Sequence, residues 1–278
     1  MDRLAPRIGR LIGRSIGQSI GRSIDWFQPP LCLGCRRTSP RGIDRFNLCP
    51  ACRGGLRALT GPRCPGCLAP LADPAALDGR PCAACRRRPP ACDRLFAGWL
   101  YAPPLREVVH GLKFHRLDYL AAALGGDLAR RFAPVLDDCG AVVPVPLHWA
   151  RALARGYNQA ELVARELADP AARPLVRALR RRAATRPQTG LSRPRRRANL
   201  AGAFRWRGRP LAGGAPHWLL VDDVLTTGAT LESAARTLKR AGVGRVTALV
   251  VAITPHPEER GARRPPPALP WWRTPRRE

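Results

Sequence analysis

Lysine is almost missing from this sequence. Of 48 basic residues only Lys113 and Lys239 are lysine, so no Gly-Lys pair occurs and a P-loop, which needs Gly-x-x-x-x-Gly-Lys-Ser/Thr, is excluded. Acid is scarce as well: 20 Asp and Glu against those 48 leave a formal charge of +28 over 278 residues. Such a charge favours nucleic acid, phosphorylated ligands or an anionic membrane surface. An arginine-rich, lysine-poor composition also suits a GC-rich coding sequence, so charge alone argues weakly. No run of eighteen or more uncharged apolar residues occurs, and no transmembrane helix is predicted. The N-terminus carries arginines but neither a continuous apolar core nor a small-residue cleavage site, so it does not read as a secretory signal. These absences predict a cytoplasmic protein, in which cysteines stay reduced and bind metal rather than pair.

What the chain has instead is regular cysteine spacing. Cys32-x2-Cys35 is followed by Cys49-x2-Cys52, and Cys64-x2-Cys67 by Cys82-x2-Cys85. Each Cys-x2-Cys turn brings two thiolates to one metal and two turns complete a tetrahedron, so four turns make two four-cysteine zinc sites. The segments between them are short, rich in Arg, Pro and Gly, and poor in core material, so metal must supply much of their folding free energy. Sequential pairing is the simpler scheme, but an interleaved cross-brace has the same spacing. Closed four-thiolate sites leave no open coordination position, which predicts a structural or recognition role. Cys92 and Cys139 have no partner at this spacing and read as small apolar residues.

Ahead of the cysteines, residues 1–29 hold a tandem repeat, with Gly9, Gly13, Gly17 and Gly21 and Ile8, Ile12, Ile16, Ile20 and Ile24 all at a four-residue step. On a helix this would make an amphipathic arm for a membrane or a partner. Its internal glycine argues rather for a disordered repeat. After Pro89 and Pro90 the pattern becomes globular. Phe96–Tyr101 and Ala141–Val145 read as strands, Pro104–Phe114 and Leu117–Phe132 as helices, and Arg245–Ile253 as a closing strand. Strands alternating with helices predict an α/β domain with a mostly parallel sheet, flanked by helices, over residues 91–254, preceded by the zinc module at 30–90. Residues 255–278, rich in Pro and Arg, are expected to be disordered.

The most informative stretch is His217–Thr230. Trp218–Val221 is a short apolar run that reads as a buried strand and ends in two carboxylates, Asp222 and Asp223. Leu225, Thr226, Thr227, Gly228, Ala229 and Thr230 follow, and then a helical pattern with Leu231, Ala234, Ala235 and Leu238 on one face. Backbone N–H groups and the positive end of a helix dipole suit a phosphate. Carboxylates would repel that phosphate, so they should face ribose hydroxyls or a hydrated magnesium ion. A dinucleotide fingerprint would need glycines where the threonines stand, and a haloacid-dehalogenase nucleophile would need Asp-x-Asp. A helix N-terminal acid pair without function is the plain alternative.

This stretch resembles the signature of type I phosphoribosyltransferases, which bind 5-phosphoribosyl 1-pyrophosphate with magnesium. Val-Pro-Val-Pro-Leu-His from Val143, Arg-Gly-Tyr-Asn-Gln-Ala from Arg155, Arg-Pro-Gln-Thr-Gly-Leu-Ser from Arg186 and Arg-Arg-Arg-Ala-Asn-Leu from Arg195 stand between the cysteines and that stretch. The order, over residues 30 to 254, is similar to that of the ComF family: a double zinc ribbon joined to a type I phosphoribosyltransferase-like domain. The resemblance implies that Asp222 and Asp223 hold the ribose and that Leu225 to Thr230 hold the 5-phosphate. It also implies a pyrophosphate loop of Val145, Pro146, Leu147, His148 and Arg151, completed by Arg155, Tyr157, Asn158 and Gln159.

From Arg177 to Arg209 there are twelve arginines and no acid. The resemblance makes this a mobile hood closing over the substrate, with Gln188, Leu191, Ser192, Arg197 and Asn199 matching the family pattern. Arginines interleaved with Gly and Pro would also suit a nucleic-acid backbone, although stacking groups are few, Phe204 and Trp206. Two functions are therefore expected in competition. One is magnesium-dependent phosphoribosyl transfer to a nitrogenous acceptor. The other is a DNA-binding competence factor that keeps the pocket as a sensor, with single-stranded DNA and other DNA-uptake proteins as partners.

Overall fold

The computed structural model describes residues 31–71, 80–182, 202–208, 216–256 and 259, and of residues 149–151 the backbone alone. The N-terminal repeat, the C-terminal tail and the five hood residues Gln188, Leu191, Ser192, Arg197 and Asn199 lie outside the described residues.

In chain order the elements are α1 (Pro50–Gly54), α2 (Ala83–Arg87), β1 (Arg94–Leu100), α3 (Leu105–Phe114), α4 (Leu120–Arg131), α5 (Ala133–Asp137), β2 (Ala141–Pro144), α6 (Trp149–Arg155), α7 (Gln159–Ala168), β3 (Leu179–Arg181), β4 (Phe204–Trp206), β5 (His217–Leu225), α8 (Ala229–Arg240) and β6 (Arg245–Ile253). A four-stranded sheet runs β1-β6-β5-β2 and every pairing in it is parallel. Val142 also forms a parallel bridge with Leu175, which extends the sheet beyond β2. The expected mostly parallel α/β sheet is present.

Both sheet faces are covered, which is why β6 is buried at every position but its first. Alternation sorts the β5 side chains: Leu219 and Val221 join the core under α3, α4 and α7, while Trp218 and Leu220 join the core under α8 and the β3–β4 hairpin. The β5 strand is longer than its apolar run. It continues through Asp222 and Asp223 to Leu225 because Asp222, Val224 and Leu225 pair with Val250, Ala252 and Ile253 of β6. The pair therefore stands within the strand's second half, held by the ladder rather than by a turn.

The register brings Leu100, Ile253 and Leu225 to one rim, with Pro144 beside Val221. In open parallel sheets this carboxyl-end rim is where ligands bind. Helix α3 reaches it through Lys113 in its last turn, 2.9 Å from Asp223. Its apolar side, Leu105, Val108, Val109 and Leu112, is buried, and its far end is tied down by the Tyr157 hydroxyl, which donates to the Leu112 carbonyl at 2.6 Å.

The first half of the cysteine region is built into this core. Cys32, Phe46 and Leu48 are fully buried in the same cluster as α3 and α4. Phe46 packs edge-on against Trp99 of β1, with ring centroids 6.1 Å apart, and the Arg53 guanidinium lies over the Phe46 ring, 3.8 Å from its centroid. The backbone joins too, since Leu100 N–H donates to the Arg57 carbonyl and Ala58 bridges Trp99. β1 is an edge strand, and this contact covers its otherwise open side.

Candidate functional site

The eight cysteines form two groups of four, Cys32, Cys35, Cys49 and Cys52 and then Cys64, Cys67, Cys82 and Cys85, with the sulfurs in each group within 4.8 Å of one another. Sequential pairing is therefore realised. The Cys35–Cys49 sulfurs are 3.9 Å apart and the Cys67–Cys82 sulfurs 3.8 Å. Four thiolates about 2.3 Å from a zinc ion at tetrahedral corners stand roughly 3.8 Å from one another, so both groups fit zinc as they are. Backbone N–H groups of Cys49 and Cys82 donate to the sulfurs of Cys32 and Cys64 at 3.2 Å, the outer bonds that orient a thiolate. Burial alone would raise Cys32, but N–H donors from Cys49, Cys35 and Gly34 outweigh it and hold the thiol at about 7. Cys64 is held at about 7 in the same way, by Cys82, Gly66 and Cys67.

At the sheet rim, Asp222 and Asp223 meet a residue from a distant part of the chain. The Lys113 ammonium, from the last turn of α3, lies 2.9 Å from Asp223 Oδ1, with both side chains mostly buried. Asp222 accepts the Asp223 N–H at 2.8 Å. Burial, then the neighbouring Asp223 charge, push the Asp222 carboxyl up to about 7, against the opposing pull of that N–H, Lys113 and Arg181. Two adjacent carboxylates with one ammonium between the helix and the strand form a site of near-balanced charge, ready to accept hydrogen bonds from hydroxyls.

The turn after β5 has the geometry of an anion cradle. Gly228 takes φ +75° as the residue before α8, a left-handed conformation that a side chain would strain. The twelve-residue α8 then presents its N-terminus at Ala229 and Thr230. Thr226 is exposed and Thr227 and Thr230 half-buried, so the hydroxyl-rich turn stands at the surface.

On the adjacent strand end, Val145 is buried and its N–H donates to the Val221 carbonyl at 2.9 Å. Asn158 braces the following loop: its amide donates to the Val145 carbonyl at 3.0 Å while its oxygen caps α7 through the Ala160 N–H at 3.2 Å. Gln159 is fully buried, and its oxygen accepts from Arg155 at 2.9 Å. Pro146, Leu147 and His148 form the half-buried loop itself. Tyr157 and Arg155 turn toward α3, the Arg155 guanidinium lying 4.8 Å from the Phe114 ring centroid.

Between Pro146–Leu147 and the β3–β4 hairpin opens a cavity of about 560 Å³ walled by arginines. The hairpin register explains the wall. Leu179, Arg181, Phe204 and Trp206 lie on the inner face, where Trp206 stacks on Trp218 at 5.7 Å. Arg180 and Arg205 are direct cross-strand partners on the outer face, with Arg182 and Arg207 next along it, and all four are exposed. Like charges placed opposite one another destabilise a two-stranded ribbon unless an anion lies between them.

Residues 23–86 match the model of the double zinc ribbon domain and residues 153–277 that of the phosphoribosyl transferase domain. The chain is 36% identical over 230 residues to the DNA utilization protein YhgH of Escherichia coli strain K12, covering 78% of this chain and 94% of that protein. It is 31% identical to competence protein F of Haemophilus influenzae, with 77% and 93% covered, and 31% identical to competence protein ComFC of Bacillus subtilis, with 70% and 79% covered. The chain belongs to the ComF family.

In this ComF protein the strand register brings the acidic pair, the Gly228 turn and the Val145 loop to one rim, whereas Asn158 and Gln159 serve as braces beneath the loop. Sequence reasoning passed over Lys113 and Tyr101. Lys113 stood out only by its rarity, a signal that points to no partner 110 positions away. Tyr101 follows β1 directly, and burial, then the Asp223 charge, raise its phenol above the usual range.

Proposed function

We propose that this ComF protein binds 5-phosphoribosyl 1-pyrophosphate as its magnesium complex, in the cytoplasm, and transfers the phosphoribosyl group to a nitrogenous acceptor. One observation carries the reading: the acidic pair, the left-handed Gly228 turn and the α8 N-terminus follow one another on β5, next to the end of β2 from which the Val145 loop leaves. In this reading Asp222 and Asp223 accept hydrogen bonds from the ribose hydroxyls, and Leu225 to Thr230 surround the 5-phosphate. Val145 to His148 with Arg151 and Arg155 receive the pyrophosphate, and the segment with Gln188, Leu191, Ser192, Arg197 and Asn199 closes over it. The bond from C1 to pyrophosphate oxygen breaks as the bond from acceptor nitrogen to C1 forms. The electron pair leaves on pyrophosphate and the nitrogen's proton passes to solvent. Electrostatic stabilisation of the departing diphosphate supplies most of the rate in such a step, so no protein nucleophile is required. The division into a ribbon module at 30–90 and a transferase-like domain at 91–254 belongs to the same reading.

Calorimetric titration of the zinc-loaded protein with phosphoribosyl pyrophosphate and magnesium tests it, followed by pyrophosphate release across a panel of bases. Binding with turnover is the expected result; absence of binding removes the reading.

The arginine-walled cavity favours a second activity. We infer that single-stranded DNA lies against Arg180, Arg182, Arg205 and Arg207, in keeping with relatives named for competence and DNA utilization. Transfer to other DNA-uptake proteins would follow. Affinity for an oligonucleotide should then fall steeply with salt. Arg180→Ala combined with Arg205→Ala should lower the logarithmic slope by about 1.4, at roughly 0.7 per lost contact on a single strand. A slope unchanged in filter-binding titrations would sink the assignment.

A further inference from the structure

Helix α3 crosses the site from one side to the other. Its first residue follows closely on β1, and its last turn is held on the Val145-loop side by Tyr157 and by Arg155 over Phe114. Glu107, His110 and Lys113 recur at a three-residue step and are all half-buried, so they form one row on this helix. Lys113 ends the row at Asp223. At about 1.5 Å per residue, the Glu107 backbone lies roughly 9 Å back along the axis, toward the end of β1 and away from the Val145 loop.

Chemistry gives that direction a meaning, and this step rests on the reading of the site given above. A nitrogen that displaces pyrophosphate from C1 forms its bond on the face opposite the departing oxygen. In the order β1-β6-β5-β2 the leaving group lies at the end of β2 and the ribose at the end of β5. The attacking side is then over the ends of β6 and β1. Tyr101 stands there, half-buried, its N–H donating to the Ile253 carbonyl of β6 at 2.7 Å.

Glu107 supplies an observation that is independent of this topology. Its Oε1 accepts from Arg106 at 2.8 and 3.1 Å, while its Oε2 is buried with no hydrogen-bond partner among the described residues. A buried carboxylate oxygen left without a donor is costly, and a ligand N–H satisfies it. Burial and then the Arg106 charge hold the neighbouring His110 imidazole below its usual range.

We propose that Tyr101 and Glu107 form the acceptor subsite of this protein and that it takes a planar nitrogenous base with an N–H or amino edge, stacked on Tyr101 and donating to Glu107 Oε2. Equilibrium binding tests this without any need for turnover. Ribose 5-phosphate fills the sugar and phosphate positions alone, and guanosine 5′-monophosphate adds the base. In the wild-type protein the nucleotide should bind about tenfold tighter or more than ribose 5-phosphate, the scale of one charge-assisted hydrogen bond. Glu107→Gln and Tyr101→Ala should each remove most of that gain and leave ribose 5-phosphate affinity unchanged, which also shows that the variants fold; Tyr101→Phe should keep it. No gain in the wild type, or a gain that survives both substitutions, overturns the subsite. Ribose 5-phosphate failing to bind the wild-type protein removes the reading of the site itself, and the subsite with it.

Discussion

Cys52→Ser is expected to lower the thermal midpoint of the whole chain by roughly 10 °C or more, whereas Cys67→Ser is expected to loosen the second ribbon with a much smaller shift. The difference follows from what each group of cysteines supports. The first holds Cys32, Phe46 and Leu48 fully buried in the core that also contains α3, α4 and the inner side chains of β5. Leu33 packs on Gly111 of α3, and Gly34 is wedged between Cys52 and Pro104 with no room for a side chain. Structural zinc contributes on the order of 10 kcal/mol to the folding of small ribbons, and here that energy is passed to the sheet edge and to the helix carrying Lys113. The second group contributes chiefly Leu68 to the opposite core. Calorimetric melting of both variants with zinc-content analysis decides it; equal shifts would show that the first ribbon is as separable as the second. A chelator should act on the same scale, and should weaken ligand binding as the first site empties.

Asp222→Asn is expected to move stability and binding in opposite directions. Asp222 is held at about 7, above the value of an unfolded aspartate, chiefly by burial and then by Asp223. The folded protein therefore keeps a proton that the unfolded chain has already released. Stability should fall as pH rises from the ordinary aspartate range to about 7, then level off, with an upper limit of about 1.4 kcal/mol per pH unit across that window. Asparagine removes that loss, so the variant should gain more over wild type at pH 8 than at pH 5. In binding, the same change deletes a carboxylate acceptor for a ribose hydroxyl, and together with Asp223→Asn it should cost at least about a hundredfold in phosphoribosyl pyrophosphate affinity. Chemical denaturation at the two pH values, paired with calorimetry, reads both effects. A variant that is less stable at pH 8, or that binds as well as wild type, would contradict this account. Such opposition is usual where a site keeps charge buried for its ligand's sake.

What could be read from the amino-acid sequence is what depends on neighbours along the chain. Two thiolates three positions apart form one turn whatever surrounds them, so the cysteine spacing was enough to expect two four-sulfur groups, and the structure assembles them. An apolar run followed by two acids, small residues and a 3.6-period helix likewise specifies strand, turn and helix locally, and β5, Gly228 and α8 follow in that order. The remainder waited on long-range packing. Nothing near Lys113 says that it meets Asp223, because the parallel ladder from β1 through β6 to β5 is what places α3 over that carboxylate. The arginine-rich stretch shows no polarity of its own; the β3–β4 register sorts Arg181 inward and Arg180, Arg182, Arg205 and Arg207 outward. A four-cysteine ribbon looks detachable in sequence because its metal can fold it. It becomes part of the domain here because Phe46, with its neighbours, covers the open edge at Trp99 of β1, a strand nearly fifty residues further on.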